Sequence, residues 1–288
     1  MAPFRAMLAR PHRAGAMDLE NALSIVTEGC LVVVPPDYSG VAMAATRSLV
    51  RRRVGSLRLL NLPQSGIQTD LMIGAGLVAE IETSAVSLGE AGPAPRFAAA
   101  VEAGSIRVRE ATCPALHASL QAAERGVPFM PLRGLIGSDI LALRPDWRVI
   151  ANPLAPAGIE DPIVLLPAIR PDVALFHAPL ADRHGNVQIG RRRELATMAH
   201  AATATIVTVE RIVDGDLLAD EATAAGFLPA RYVSAVVACP NGAWPLPLPG
   251  VHGADTAHLA EYARLARTPA GFSDYLRNYV DAEPSARV

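Results

Sequence analysis

Residues 171–213, PDVALFHAPLADRHGNVQIGRRRELATMAHAATATIVTVERIV, decide the fold class. An apolar run at 173–176 leads into a polar turn, Ala181-Asp182-Arg183-His184-Gly185-Asn186. A helix-like stretch over 194–202 and a β-branched run over 205–209 follow. Strand, turn, helix, strand is the pattern of two parallel strands joined by a crossover helix. In open sheets of this kind ligands collect outside the carboxyl ends of the strands, so the polar turn reads as a ligand-facing loop. The turn nonetheless holds no recognisable nucleophile with its base.

The same alternation continues outward from this stretch. Helices are expected over 18–28, 41–52, 69–78, 97–103, 114–125, 254–266 and 271–278, in addition to 194–202. Strands are expected over 30–34, 56–62, 80–87, 105–110, 127–130, 147–151, 163–167, 173–177, 205–209 and 233–238. Gly104 and Gly126 read as helix stops, and Thr69 or Asp70 as the cap of the 69–78 helix. Short β-rich runs between helices of about ten residues predict an α/β fold, a mostly parallel sheet with helices on both faces. No linker-like run and no solenoid-length repeat interrupts it, and the Pro-rich patch at 244–249 reads as an ordered loop. One domain over 17–280 is therefore expected, with 281–288 as a tail. Residues 1–16 carry Arg5, Arg10, His12 and Arg13 but no acid and no apolar signal core. They read as a disordered extension, or as a start assigned too early with Met17 as the true one.

Composition removes several classes of function. Of 288 residues 51% are hydrophobic and 19% charged, enough to bury a substantial core. The net charge of -2 argues against a nucleic-acid footprint, which needs concentrated basic surface. The runs Arg51-Arg52-Arg53 and Arg191-Arg192-Arg193 read as solvated helix ends, although the second adjoins the polar turn. Lysine is absent, which excludes Schiff-base chemistry by a lysine, a lysine-anchored pyridoxal cofactor and a Walker-type phosphate loop. Cys30, Cys113 and Cys239 fit neither a disulfide framework nor a zinc pattern and are expected as free thiols in a reducing cytoplasm. No metal site is expected. No apolar run reaches the length of a membrane span.

Individual motifs carry less. The stretch at 72–79, MIGAGLVA, imitates a GxGxxA dinucleotide fingerprint, but it lacks a full preceding strand and an acid about 20 residues on. It reads better as a helix end packed through small residues. His177 is expected as a satisfied core histidine and His184, in the turn, as the better ligand contact. Asp182 and Asn186 most simply build the turn, with Gly185 at positive φ. Residues 126–139, GVPFMPLRGLIGSD, form a glycine-punctuated loop in which Arg133, Gly137 and Ser138 could approach an anionic ligand. Glu110 closes an expected strand; it is either a nucleophile or base in a cleft, or half of a surface ion pair with Arg107 or Arg109.

Taken in order, DLMIGAGLV, GVPFMPLRGLIGSDI, PDVALFHAPLADRHGN and IVTVERIV resemble the A (alpha) subunit of family I coenzyme A transferases, the glutaconate and 3-oxoacid group. The likeness runs from Asp18 to about Asn278 and includes the segment from Pro240 to Tyr262. The resemblance implies the family's α/β fold and an A2B2 heterotetramer with a B subunit. It also implies transfer of coenzyme A between an acyl-CoA and a carboxylic acid through a glutamyl-CoA thioester. In heteromeric members that glutamate belongs to an E-x-G motif of the B subunit. Glu90-Ala91-Gly92 and Glu102-Ala103-Gly104 lack the further glycines, so the missing nucleophile is expected on the partner. Coenzyme A is then a substrate, no resident cofactor is implied, and Ser39, Gly40, Arg133, Gly137, Ser138, His184 and Asn186 are the candidate binding residues. One departure stands out. The A subunits of the family carry a Gly-Gly-Phe type turn after the first strand, whose amides help hold the thioester oxygen; here the turn reads Pro35-Pro36-Asp37-Tyr38-Ser39-Gly40. Prolines have no amide hydrogen, so either Ser39 and Gly40 take over or the chemistry has changed. Two alternatives follow: a thioester hydrolase or C–C cleaving relative using Glu110, and a non-catalytic binding or scaffold subunit.

Overall fold

The computed structural model describes residues 17–282. The expectations for 1–16 and for 283–288 lie outside the described residues. Among the described residues seven strands run parallel: β1 (Leu31–Val34), β2 (Leu57–Asn61), β4 (Val78–Thr83), β6 (Arg107–Glu110), β10 (Val173–Asp182), β12 (Ala204–Val213) and β14 (Ala235–Ala238). Their spatial order is β14-β12-β10-β1-β2-β4-β6. Two short strands, β11 (Val187–Gln188) and β13 (Phe227–Leu228), extend antiparallel from the carboxyl end of β10. A two-residue pair, β3 (Gln64–Ser65) and β5 (Ala85–Val86), ties the connections after β2 and β4.

Three expected strands stay out of the parallel sheet. β7 (Phe129–Leu132), β8 (Arg148–Ala151) and β9 (Pro162–Pro167) form an antiparallel sheet of their own in the order β7-β9-β8. A parallel return needs a long crossover, and the link from β8 to β9 is a short loop containing Pro153, Pro156 and Gly158.

Strand alternation builds the two cores. Val32, Val34, Leu59, Val173, Leu175 and Ile206 face one side of the sheet. Val33, Leu60, Ala174, Phe176, Val207 and Val236 face the other. The first side is covered by α1 (Leu19–Leu23), α2 (Met43–Arg52), α3 (Ile67–Gly74), α4 (Pro95–Glu102), α9 (Thr256–Leu265) and α10 (Pro269–Leu276). The second is covered by α5 (Cys113–Glu124), α7 (Arg193–Ala201) and the small sheet, with α6 (Ile140–Leu143) beside it. The remaining helix, α8 (Glu221–Ala224), is a single turn.

Two helices differ from their expected bounds. α1 stops at Leu23 rather than at 28, because the chain turns through Gly29 at φ +79 into β1. α3 begins at Ile67 after Gly66, so Thr69 and Asp70 are not caps but fully buried residues of its first turns. Thr69 donates its hydroxyl to Asn61, and Asp70 accepts from the Tyr262 hydroxyl (2.7 Å) and the Phe97 amide (2.7 Å). The 72–79 stretch is a helix end: α3 stops at Gly74, and a Cβ there would lie 2.6 Å from the side chains of Arg96 and Phe272.

Asp70 leaves a signature in the pH dependence of stability. Burial raises its carboxyl from 3.8 to about 6, against the lowering effect of Tyr262 and the backbone amides. The folded state therefore holds this proton more tightly than the unfolded chain does. Its contribution is most favourable below 3.8 and is lost as pH rises through about 6. The shift corresponds to about 3 kcal/mol. Asp70→Asn keeps the acceptor for Phe97, and the Tyr262 hydroxyl can turn to accept. Its stability relative to wild type should be higher at pH 7 than at pH 4 by about that amount in urea titrations; a pH-independent difference would show that Asp70 does not titrate in this range.

Candidate active site

β1 lies inside the sheet between β10 and β2, so the loop after it opens at the carboxyl edge. This loop, residues 35–40, is pinned at several points. Asp37 Oδ1 accepts from the Gly66 amide (3.0 Å), and burial raises the Asp37 carboxyl to about 6 despite that bond. The Ser39 amide donates to the Pro36 carbonyl (2.9 Å), and the Ser39 hydroxyl donates to Glu194 Oε1. The Gly40 carbonyl accepts from the His177 amide (2.8 Å). Gly40 has φ +84, and a Cβ on it would lie 2.1 Å from the His177 carbonyl oxygen, so only glycine fits.

Beside this loop lies a cleft of about 370 Å³. Ser39, Gly40 and His177 form one wall, and Gln188 to Arg192 with Leu195 another. Residues 248–251 close the third side. Pro179, Ile189, Leu195, Leu248 and Val251 make much of the lining apolar, while Arg191 and Arg192 bring positive charge. The Arg192 Nε atom is buried without an acceptor among the described residues. The 191–193 run starts α7 with Arg191 and Arg193 exposed, as at a solvated helix end, and Arg191 and Arg192 also line the cleft. The 51–53 run does close a helix, α2, where Arg51 and Arg52 cap the Val280 and Leu23 carbonyls.

His177 is fully buried and satisfied at both nitrogens, to Thr208 Oγ1 (2.8 Å) and Glu210 Oε1 (2.9 Å). Burial holds its pKa below the ordinary value even though Glu210 works in the opposite direction. The neutral ring then carries its proton on Nε2, facing the carboxylate, and accepts from Thr208 at Nδ1. Burial also opposes the charge on Glu210. Bonds from His177 and the Asn241 amide (2.8 Å) prevail and hold its carboxyl below the usual range. Asn241 is left-handed (φ 57), and a Cβ on Gly242 would sit 2.6 Å from the His177 ring. The imidazole thus locks the 241–242 turn while its backbone locks Gly40.

The polar turn after β10 is self-contained. Asp182, fully buried, accepts from the amides of His184 (2.9 Å), Asn186 (2.9 Å) and Leu217 (3.0 Å) and from Asn186 Nδ2 (2.7 Å). Asn186 Oδ1 in turn accepts from the Ala230 amide (2.9 Å), and Gly185 takes φ +93. His184 is exposed on this turn, and neither it nor Asn186 lines the cleft.

Other candidates lie elsewhere. Arg133 forks onto Asp161 (2.7 and 2.6 Å) at the surface of the small sheet, and this bond with that from Asn152 lowers the Asp161 carboxyl to about 2. Gly137 and Ser138 follow in the same loop, outside the cleft lining. Glu110 ends β6 at the edge of the parallel sheet, with its carboxylate exposed and its carbonyl held by Arg144 Nη1 (3.0 Å). Arg107 pairs with Glu80, and Arg109 with Glu82 and Asp146, so neither arginine neutralises Glu110.

Comparison with known proteins agrees with this architecture. The family model for coenzyme A transferase matches residues 16–238. The chain belongs to the coenzyme A transferase family. Among coenzyme A transferase relatives, the A subunit of the 3-oxoadipate CoA-transferase from Pseudomonas knackmussii is 31% identical over 88% of this chain and 89% of its own. The IpdA subunit of a cholesterol ring-cleaving hydrolase from Rhodococcus jostii is also 31% identical, over 83% of this chain and 82% of its own. A relative from Archaeoglobus fulgidus is 34% identical over 92% of this chain, which spans only 59% of that protein. The crystal structure of glutaconate coenzyme A-transferase from Acidaminococcus fermentans matches with a TM-score of 0.83 at 26% identity, covering 93% of this chain and 89% of that one.

Within this coenzyme A transferase chain, Pro35 and Pro36 after β1 carry no amide hydrogen. Ser39 uses its amide on Pro36 and its hydroxyl on Glu194. The amides of Asp37, Tyr38 and Gly40 have no acceptor among the described residues. Sequence reasoning missed Asp37, Glu194 and Glu210. Glu210 had a usable signal: Thr208 and Glu210 share a strand face by alternation, and both reach His177, which pairs with Thr208 in register. That register is invisible in the sequence.

Proposed function

We propose that this chain is the A subunit of a two-subunit coenzyme A transferase. It would move coenzyme A between an acyl-CoA and a small or medium carboxylic acid through a glutamyl-CoA thioester on a partner B subunit. Coenzyme A enters as a substrate, without a resident cofactor, and the assembly is an A2B2 heterotetramer of the cytoplasm. Among the described residues no helix is long and apolar enough to cross a membrane. The observation that carries this reading is a cleft equipped to bind but not to attack. Its two neighbouring carboxylates, Glu194 and Glu210, are engaged by Ser39 and by His177 and Asn241, while Arg191, Arg192 and an apolar lining remain for a ligand. A relative named as the A subunit of a CoA-transferase supports the partnership.

The second reading is a thioester hydrolase or C–C cleaving enzyme that uses Glu110. It is favoured by the exposed, unneutralised carboxylate at a strand's carboxyl end and by the relative from a ring-cleaving hydrolase. One experiment separates the two. The chain is co-purified with the product of the neighbouring gene, incubated with acyl-CoA thioesters and trapped with borohydride. On the transferase reading the trapped glutamate lies on the partner, and Glu110→Gln keeps activity within about threefold, a change of under about 1 kcal/mol in the barrier. No trapped species together with at least about 100-fold loss in Glu110→Gln selects the hydrolase, as expected for removal of a nucleophile or base. A complex that handles no thioester indicates a binding or scaffold role.

A further inference from the structure

Exposed apolar side chains are concentrated on the small antiparallel sheet and its loops. Among the described residues eleven large hydrophobic side chains are exposed, and all but Tyr38, Val101 and Val251 lie between 127 and 159. Soluble monomers rarely leave such a concentration uncovered. One strand of this surface, β8, is exposed at every residue, Val149 to 50%. It is bonded to β9 alone, so its other edge is open.

The register says which groups stand on that edge. The Asn152 amide donates to the Asp161 carbonyl (2.9 Å), so 152 and 161 form a hydrogen-bonded pair, as do 150 with 163 and 148 with 165. Val149 and Ala151 therefore turn their N–H and C=O groups away from β9. The opposite outer strand, β7, is protected. Its alternation is fixed by the Ala168 amide on the Pro128 carbonyl (3.0 Å), which puts Pro131 at an outward position with no proton to donate. β8 carries no such block, and Pro145 and Pro153 lie beyond its ends.

We propose that β8 pairs antiparallel with β8 of a second copy of this chain, across a two-fold axis at Ile150, and so joins the two small sheets into one. Outward groups must face outward groups, so the axis passes through a residue and not between two. With Ile150 at the axis, Val149 of each copy faces Ala151 of the other, and every outward N–H and C=O of both strands is used. An axis at Val149 sets Ala151 against Trp147, whose amide is already given to the Arg144 carbonyl (3.0 Å). An axis at Ala151 sets Val149 against Pro153, which has no amide hydrogen.

The side chains favour the same register. Ile150 meets its own copy at the axis, an apolar pair. Arg148 is exposed and has no ion pair among the described residues. In the paired strands it faces Asn152 of the second copy, whose Nδ2 holds Asp161 (2.6 Å). Bonds from Arg133 and Asn152 lower that carboxyl to about 2, so it is charged at neutral pH. A cation thus meets an anionic site at each end of the pairing, and no like charges are opposed. None of these residues lines the cleft, so the contact is independent of the reaction assigned to it.

The test uses the full chain, alone and in complex with the product of the neighbouring gene, with cysteines introduced in a Cys113→Ser background. At a non-hydrogen-bonded axis the two Cα atoms lie about 4.5 Å apart, within disulfide reach. Mild oxidation of Ile150→Cys should therefore give a covalent homodimer, and Val149→Cys, whose copies sit on a diagonal, at least about tenfold less. Sedimentation equilibrium should show self-association of the wild type that Val149→Pro weakens by at least about tenfold, because an outward donor is lost from each copy. The Val149 amide takes no part in the β9 ladder, so this proline leaves the fold intact, which urea unfolding checks. If either position fails to fold when substituted, the other decides. A wild-type chain that is monomeric alone and present once in the complex overturns the proposal. A dimer that Val149→Pro leaves unchanged, or that cross-links equally at 149 and 150, overturns it by placing the contact elsewhere. Protection of the Val149 and Ala151 amides from hydrogen exchange only when the partner subunit is added overturns it too, since the partner and not a second copy would then cover β8.

Discussion

Gly40→Ala should destabilise the protein by about 3–7 kcal/mol and distort the cleft. Three costs add. A left-handed alanine costs about 1 kcal/mol, and overpacking against backbone costs about 1–3 kcal/mol. The third is the His177 amide bond to Gly40, since a Cβ placed 2.1 Å from the His177 carbonyl must push the two segments apart. Leaving that buried pair unmade costs about 1–3 kcal/mol more. Relief is hard to find, because β10 is bonded along its length to β12 and is buried at this point. Gly76→Ala is the internal control: its φ of +76 is nearly the same, but nothing lies within 4 Å of the added Cβ. It should lose only about 1 kcal/mol, the conformational part alone. Urea unfolding of the two variants would check the difference, and equal losses would show that crowding against His177 does not matter.

Much of the main sheet was legible because it depends on local patterns. Strands such as 173–177 and 205–209 are continuous apolar runs, as buried parallel strands must be, and Gly104 and Gly126 end their helices at positive φ. The antiparallel sheet at 127–167 was less legible. Its strands were found, but partner choice depends on the short proline-bearing loop between β8 and β9. The helix at 67–74 was shifted because Thr69 and Asp70 look like caps, whereas their polar atoms are satisfied by Asn61 and Tyr262, the latter 192 positions away. Short polar side chains signal a cap only when their partners are local.

The site divides along the same line. The Asp182–Asn186 turn could be read because its bonds are mostly local, spanning two to four residues. The Ser39–Glu194 and His177–Glu210 contacts join segments 155 and 33 positions apart, and only the assembled sheet brings them together. Arg133 shows the reverse error of emphasis: an arginine in a glycine-rich loop has the chemistry to bind an anion, but here a carboxylate of the protein already occupies its fork. The cleft's charge comes instead from Arg191 and Arg192, which a run of three arginines conceals as ordinary surface.

Asp182→Asn should cost about 3–5 kcal/mol at neutral pH, although the exchange is nearly isosteric. The carboxylate presents two acceptor oxygens to four donors, two on each oxygen. Either rotamer of asparagine turns an amide toward one pair, so two N–H groups, one buried and one partly buried, lose their acceptor and face another donor. Each unsatisfied group costs about 1–3 kcal/mol. The loss spreads to the turn after β13, because Asn186 also holds the Ala230 amide. The pH dependence has the opposite sign to that of Asp70. Burial opposes the charge on Asp182, but the Leu217 and Asn186 bonds bring its carboxyl below its ordinary 3.8. Its contribution is therefore complete above 3.8 and disappears as pH falls through the lower folded value. The gap between wild type and Asp182→Asn should stay constant from pH 7 to about 5 and narrow below that, as wild type loses a charge the variant never had. A gap that widens on acidification would mean the four bonds do not favour the charged form, and that the turn is held by Gly185 and its backbone alone.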